Sequence, residues 1–205
     1  MRSLIRTLLL CIALIFLVRQ SNSQTLSNLK ASSAFPVAHL DVAKIQTCIL
    51  PSFHINGKPA KAHTQGLLVH QNGIFVTARR DDIDPRRSLL LWLSCNPSNQ
   101  KENCNEGKKA WTKIWDITPN SQPDSWSGSL DHPGGFDSDG QNLWIPISQS
   151  HRNSKTMVRK FSIRSLIEKG DATPTESITI NDHIGAIAFL RAPERLFGAN
   201  WDTFL

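Results

Sequence analysis

The chain has 205 residues, 40% hydrophobic and 20% charged, with 11 Gly, 11 Pro, six Trp, nine Phe, no Tyr and a formal net charge of +6. That composition supplies one apolar core or two small ones. It excludes a collagenous, low-complexity or multi-span membrane protein.

At the N-terminus Arg2 and Arg6 precede an apolar run from Leu8 to Val18, followed by the polar stretch Arg19 to Ser23. The run is too short to cross a bilayer and suits the core of a signal peptide. Small residues Ser21 and Ser23 stand three and one places before Gln24, so cleavage is expected after Ser23. Residues 1–23 are then a leader, the protein is secreted or periplasmic, and the mature chain has no stable membrane span. The leader removes Arg2, Arg6 and Arg19, which lowers the net charge to +3. The densest remaining basic groups, Lys101/Lys108/Lys109 and Arg79/Arg80/Arg86/Arg87, are mixed with Asp81, Asp82 and Asp84. They read as a solvated face, and no nucleic-acid partner is expected, because no aromatic or glycine motif of such a module accompanies them.

Cys11 leaves with the leader, and Cys48, Cys95 and Cys104 remain. In an exported chain Cys95 and Cys104 are the candidate disulfide, closing a short loop, since no second Cys or His pair lies nearby at zinc-site spacing. Cys48 is the odd thiol and reads as a buried small apolar residue.

Residues 24–37 are Ser-rich and aperiodic and are expected to be a flexible lead-in. Over 38–205 strand signals dominate. The expected strands are Val42 to Leu50, Gly66 to His70, Ile74 to Ala78, Ser88 to Ser94, Ala110 to Ile117, Leu143 to Ser148, Thr156 to Ile163, Ser177 to Ile180, Ala186 to Phe189 and Leu196 to Trp201. The one helical candidate is Ile163 to Lys169. The fold class is therefore all-β.

Three segments repeat: HTQGLLVHQNGIFVTA from His63, HPGGFDSDGQNLWIPIS from His132, and HIGAIAFLRAPERLFGANW from His183. Each runs from His through Gly66, Gly135 or, one place earlier, Gly185 into a short apolar strand, a tight turn and an aromatic-containing second strand. The starts lie 69 and 51 residues apart. With the long loop Asn96 to Lys109 assigned to the first unit, this spacing points to four-stranded β-propeller blades. The first unit takes Gly66 to His70, Ile74 to Ala78, Ser88 to Ser94 and Ala110 to Ile117. The second takes Gly135 to Ser138, Leu143 to Ser148, Thr156 to Ile163 and Ser177 to Ile180. The third has two strands by Leu205, and Val42 to Leu50 is expected to close the last blade. The expected architecture is an apparently incomplete propeller of about two and a half blades. A sandwich of about ten strands fits the same composition.

His63, His132 and His183 hold the same place in three units. If the following strand is the innermost of its blade, they converge at the channel mouth, where imidazoles bind a ligand, hold a metal or transfer a proton. Asp131 and Asp182 precede two of them, and Asp137 follows Gly135 by two places. Carboxylates so placed orient an imidazole or bind a hard cation. His63, His132, Asp137 and His183 are thus the ligand or metal candidates, and a divalent metal is the cofactor such a set admits. The same residues also suit a structural role, bonding backbone where each unit begins. Phe75, Trp144 and Phe197 are expected in the core between units, and Trp126 is either core or a ligand platform. GxSxG, HExxH, P-loop and Rossmann motifs are absent from the sequence.

The segment HPGGFDSDGQNLWIPISQSHRNS, with NDHIGAIA and LFGANW after it, resembles an uncharacterised domain-of-unknown-function family of secreted, propeller-like proteins. Its blade motif is HPGGxDxDGxxxWxPxAxxRxxS. The residues that fit are His132, Gly134, Gly135, Asp137, Asp139, Gly140, Trp144, Pro146 and Ser154, with Arg152 one place beyond the motif's Arg, and the likeness runs from about His63 to Asp202. The resemblance implies a propeller, a signal peptide and a family length that continues past Leu205, and it implies no activity. HTQGLL at His63 also looks like the opening of propeller glutaminyl cyclases. Where that family carries a Glu, this chain has Val76-Thr77-Ala78-Arg79. Three functions follow as expectations: an exported propeller binding a small molecule or protein at its channel mouth, a metal-dependent propeller hydrolase, lyase or cyclase using the channel histidines, or a truncated non-functional fragment.

Overall fold

The run Leu89-Leu90-Leu91-Trp92-Leu93 has no alternation of polarity, as a strand buried on both faces requires. In the computed structural model it is the centre of such a strand. Leu90 and Trp92 enter one apolar cluster, and Leu89, Leu91 and Leu93 enter another on the opposite face. The structure describes residues 50–71, 73–94, 110–121, 126–151 and 153–200, all within the compact unit Thr47–Leu205. The expected leader, the lead-in, Cys48, Cys95, Cys104 and nearly all of the expected strand Val42 to Leu50 lie outside the described residues.

A short hairpin comes first, β1 (His54–Ile55) and β2 (Lys58–Pro59). Its turn residues Asn56 and Gly57 have φ of 52° and 75°, the left-handed pair that an Asn-Gly hairpin turn supplies at least cost. Next is a four-stranded antiparallel meander of β3 (Ala62–His70), β4 (Gly73–Arg80), β5 (Arg87–Ser94) and β6 (Lys113–Asp116). A second meander follows: β7 (Leu130–Pro133) and β8 (Asp137–Ser138), both pairing β9 (Asn142–Gln149), then β10 (Thr156–Ser162) and β11 (Glu176–Ile180). Between β10 and β11 lies a π-helical turn, Ser165–Lys169, closed by Gly170 in the left-handed region at φ 71°. A hairpin of β12 (Ile184–Arg191) and β13 (Glu194–Asn200) completes the described chain. The fold is all-β with several antiparallel sheets, and none of them closes on itself.

The sheets stack face to face. Phe75, Leu90, Trp92 and Trp115 of the first meander pack against Leu143, Ile145, Ile147, Met157 and Phe161 of the second. Trp144 and Val158 on the second meander's other face pack against Ile184 and Ile187 of the hairpin. At the outer strands Lys113 Nζ donates to the carbonyls of Ile167 at 2.7 Å and Leu166 at 3.3 Å, where the exposed carbonyls of a helical turn favour a cation. Trp115 Nε1 donates to Gly170 O at 2.9 Å, and Arg159 Nη1 to Ile117 O at 2.7 Å.

At the inner strands the backbones touch. A Cβ on Gly66 would lie 3.0 Å from both Gly134 O and Gly135 Cα. Thr77 Oγ1 donates to Gly134 O at 2.9 Å. Gly135 donates its N–H to Gly185 O and accepts from Ile187 N–H, both at 3.0 Å, which forms a parallel bridge to Ala186. The structural equivalents are therefore Gly66, Gly135 and Ala186, each three places after its histidine, and Gly185 is not the third member. Each first strand also carries one register shift: between Thr64 and Gly66 in β3, between Leu130 and His132 in β7, and between Ile184 and Ala186 in β12.

Two expectations change. The first strand of the second unit was expected over Gly135 to Ser138. Of that range only Asp137–Ser138 (β8) is strand, and the pairing with β9 begins earlier, in β7, and is interrupted where Gly135 turns its hydrogen bonds to the next sheet instead of to β9. Phe197 was expected in the core and is 54% exposed, whereas Phe75 and Trp144 are buried. The cluster that buries Trp144 lies on one face of the hairpin, and Phe197 stands on the other.

A Cβ at Gly134 would meet Gly185 O at 2.3 Å, whereas one at Gly185 finds its nearest neighbour at 3.9 Å. Gly134→Ala is therefore expected to destabilise by about 1–3 kcal/mol or more, by forcing the inner strands apart. Gly185→Ala should be tolerated. Urea unfolding midpoints of the two variants check the contrast.

Candidate functional site

β3 and β4 pair in a register that sets His63 directly opposite Arg79. Cross-strand partners share a face, and that face of the sheet carries Phe75 and Thr77 toward the second meander. There the Arg79 guanidinium donates from Nη1 to His132 Nδ1 at 3.0 Å and more weakly to Ser150 Oγ at 3.4 Å. Its Nε donates to Asp81 at 2.6 Å. The His132 ring meets that of His183, just before β12, edge to face with centroids 5.8 Å apart. Arginine from the first sheet, imidazole from the second and imidazole from the hairpin thus form one continuous polar cluster. Exposed His63 lies close enough to His132 to act on its titration.

The cluster is anchored from beneath. Buried Asp131 accepts from Ser150 Oγ at 2.5 Å. His183, 1% exposed, shares a 2.6 Å hydrogen bond between Nδ1 and the Oγ of equally buried Ser154. Asp182 accepts from the His183 N–H at 2.8 Å and from Asn200 Nδ2. Thr156 Oγ1 donates to Asp182 O and accepts from Ile184 N–H, which fixes the backbone on both sides of His183.

Burial is the largest influence on His132 and disfavours its charged form. The Arg79 charge and His183 act the same way, and together they outweigh the opposing pull of Asp131. The ring is held below the ordinary value of 6.5. Its Nδ1 accepts from a guanidinium, so the neutral ring carries its proton on Nε2.

The four sequence candidates thus have different environments. His132 and His183 come together, and exposed His63 stands within electrostatic reach of His132. Asp137 does not join them: its Oδ1 accepts from Ser138 N–H and its Oδ2 from Phe189 N–H on β12, both at 2.8 Å, so it ties the second sheet to the hairpin. Among the described residues, no three His, Cys, Asp or Glu side chains are grouped so as to hold a metal ion. Asp139 is a turn residue. Burial alone would raise its carboxyl, but the Asn142 side chain, the N–H groups of Gln141 and Asn142 and the Trp144 indole outweigh that and hold it below the ordinary range. Trp126 is 7% exposed and belongs to the core, with the Lys155 ammonium 5.4 Å from its ring centre. The residue missed in the sequence is Arg79. Its signal is a guanidinium closing an otherwise apolar strand.

Because His132 is neutral in the native state and ordinary in the unfolded chain, the unfolded chain binds more protons as the pH drops. The stability this group contributes is complete above about 6.5 and is lost as the pH falls from there toward the lower native value. The urea midpoint is expected to drop between about pH 7.5 and 5.5, and to drop less in His132→Gln. Equal drops in both proteins would contradict the assignment.

Neither the curated protein sequences nor the solved structures give a match to the chain. Residues 124–204, which hold β7 to β13 with His132, Asp137 and His183, match the model of a family of unknown function (DUF6454), in line with the uncharacterised domain family expected from the blade motif.

Proposed function

We propose that the two meanders and the following hairpin are consecutive blades of a β-propeller, and that the protein, exported by the leader at 1–23, binds a small ligand or a partner at the channel mouth. The propeller reading rests on the side-by-side inner strands, where Gly66 meets Gly134 and Gly135, and Gly135 bridges in parallel to Ala186. A closed ring takes at least about four such blades. On this reading the two meanders count as two blades and the β12–β13 hairpin as the inner half of a third.

The observation that carries the binding reading is the cluster of Arg79, His132 and His183, drawn from three successive sheets to one place. A fold that only needed to join its blades has the glycine contacts for that purpose. Placing a neutral imidazole between a guanidinium and a second imidazole, with an exposed histidine nearby, creates directional donors that suit recognition. Catalysis is disfavoured by burial. Among the described residues the hydroxyl–imidazole hydrogen bond of Ser154 with His183 has both side chains almost wholly out of solvent.

In a screen of small polar compounds followed by histidine NMR, binders are expected to shift the His63 and His132 imidazole signals. His63→Ala should weaken them without lowering the melting temperature, because His63 is exposed. Binders that leave all three histidines unmoved would sink this reading. So would a stoichiometric divalent ion that is lost in the triple histidine variant, which would favour the metal-dependent enzyme. Intact-mass analysis of protein expressed with its leader should find Gln24 at the N-terminus.

A further inference from the structure

Of the four arginines clustered at the β4–β5 turn, Arg79 serves the histidine cluster, while Arg80 and Arg87 face the opposite side of the same sheet. These two are direct cross-strand partners. Like charges in that position repel and weaken the strand pair, so their juxtaposition calls for a compensating anion. The compensation within the chain is incomplete. Arg80 donates to Asp82 at 2.9 and 3.4 Å. Among the described residues Arg87 has only Asp116 at 3.8 Å, beyond hydrogen-bond distance, and both of those side chains are at least 41% exposed. Among the described residues, the Arg87 guanidinium makes no hydrogen bond.

The two arginines open onto a recess of about 460 Å³ between the sheet and the β1–β2 hairpin. Its size is that of a small-molecule site. His54 lines it from the hairpin side, and Ile83, Leu89 and Ile114 give it an apolar lining. We propose that this recess binds a small organic monoanion, a carboxylate on an aromatic or aliphatic body. The carboxylate would be held by the fork of Arg87, with Nη1 of Arg80 as a further donor because Asp82 engages the Nε and Nη2 of Arg80, and the body would lie against Ile83, Leu89 and Ile114. Guanidinium forks match the planar carboxylate and bind it bidentately. Asp82 and Asp116 formally match the two guanidinium charges, but Asp116 stays 3.8 Å from Arg87 and leaves its donors to a ligand; beside two carboxylates a monoanion is tolerated better than a phosphate dianion. The concave apolar lining distinguishes the recess from a flat basic face for a polyanion. This site lies on the other face of the sheet from the histidine cluster, and it does not depend on the function proposed for that cluster.

The test is calorimetric titration of the full chain with 3-phenylpropionate, 3-phenyl-1-propanol and inorganic phosphate. The carboxylate is expected to bind about ten-fold more tightly than the alcohol, and Arg87→Gln should weaken it by about ten-fold or more. Arg87 is on the surface, so this variant should keep its melting temperature. Arg87→Lys, which retains the charge without the fork, should fall between wild type and Arg87→Gln. The proposal is overturned if the carboxylate does not bind, if it binds no better than the alcohol, if both variants bind like wild type, or if inorganic phosphate binds as tightly as the carboxylate.

Discussion

The structure depends on the approach of backbone to backbone at Gly66, Gly134 and Gly135. Where a side chain would leave no room, Gly134 stands 2.3 Å, measured from its virtual Cβ, from the carbonyl of Gly185. The neighbouring strand segments then exchange the two 3.0 Å hydrogen bonds of Gly135 with Gly185 and Ile187. Apolar clusters would hold the sheets together at many relative offsets, because burial is not directional. The glycine contacts select one offset. They also account for the interruption between β7 and β8, since a residue bonded to the next sheet cannot also complete the ladder with β9.

That offset brings the polar ends of the inner strands together. Arg79 reaches across to His132, and His132 meets His183, only because the first strands of successive units are aligned to within a residue. Below them Asp131, Ser150, Ser154, Thr156 and Asp182 satisfy the buried polar groups, as interior positions demand. Asp137 performs the same service on the far side of Gly135 by capping the Phe189 N–H. Neutral His132 is therefore a consequence of packing as much as of its neighbours. The ring lies where burial opposes a charge, beside a guanidinium that opposes it further.

Much of the strand architecture was legible because buried strands leave plain traces. Leu89 to Leu93 and Leu143 to Ile147 are short apolar runs between turn residues, Thr156 to Phe161 mixes β-formers with Arg159 and Lys160, and all became strands. The helical turn after β10 was also readable from its Leu166 and Ile167 and from Gly170 at its end. The hairpin at Asn56-Gly57 carried the strongest turn dipeptide in the described chain, but its strands are only two residues long and too short to show alternation. The histidines were findable by repetition. What they bond to was not, because Arg79 is 53 residues from His132 and no local pattern encodes that contact. Asp137 shows the limit most clearly. Its place two residues after Gly135 suited a ligand and a structural cap alike, and the 2.8 Å bond it accepts from the Phe189 N–H across the sheets has no local trace in the sequence. Phe197 shows the converse: an aromatic at the expected strand position is buried only if a sheet covers its face.

The account stands on the backbone bonds between the inner strands, and native-state hydrogen exchange reads them directly. The amides of Gly135 and Ile187 are predicted to exchange as slowly as the core amides of β9, since opening them requires parting the second sheet from the hairpin. Exchange at the rate of an exposed turn such as Gly57 would show that the sheets are not joined there, and would remove the basis for the histidine cluster with them.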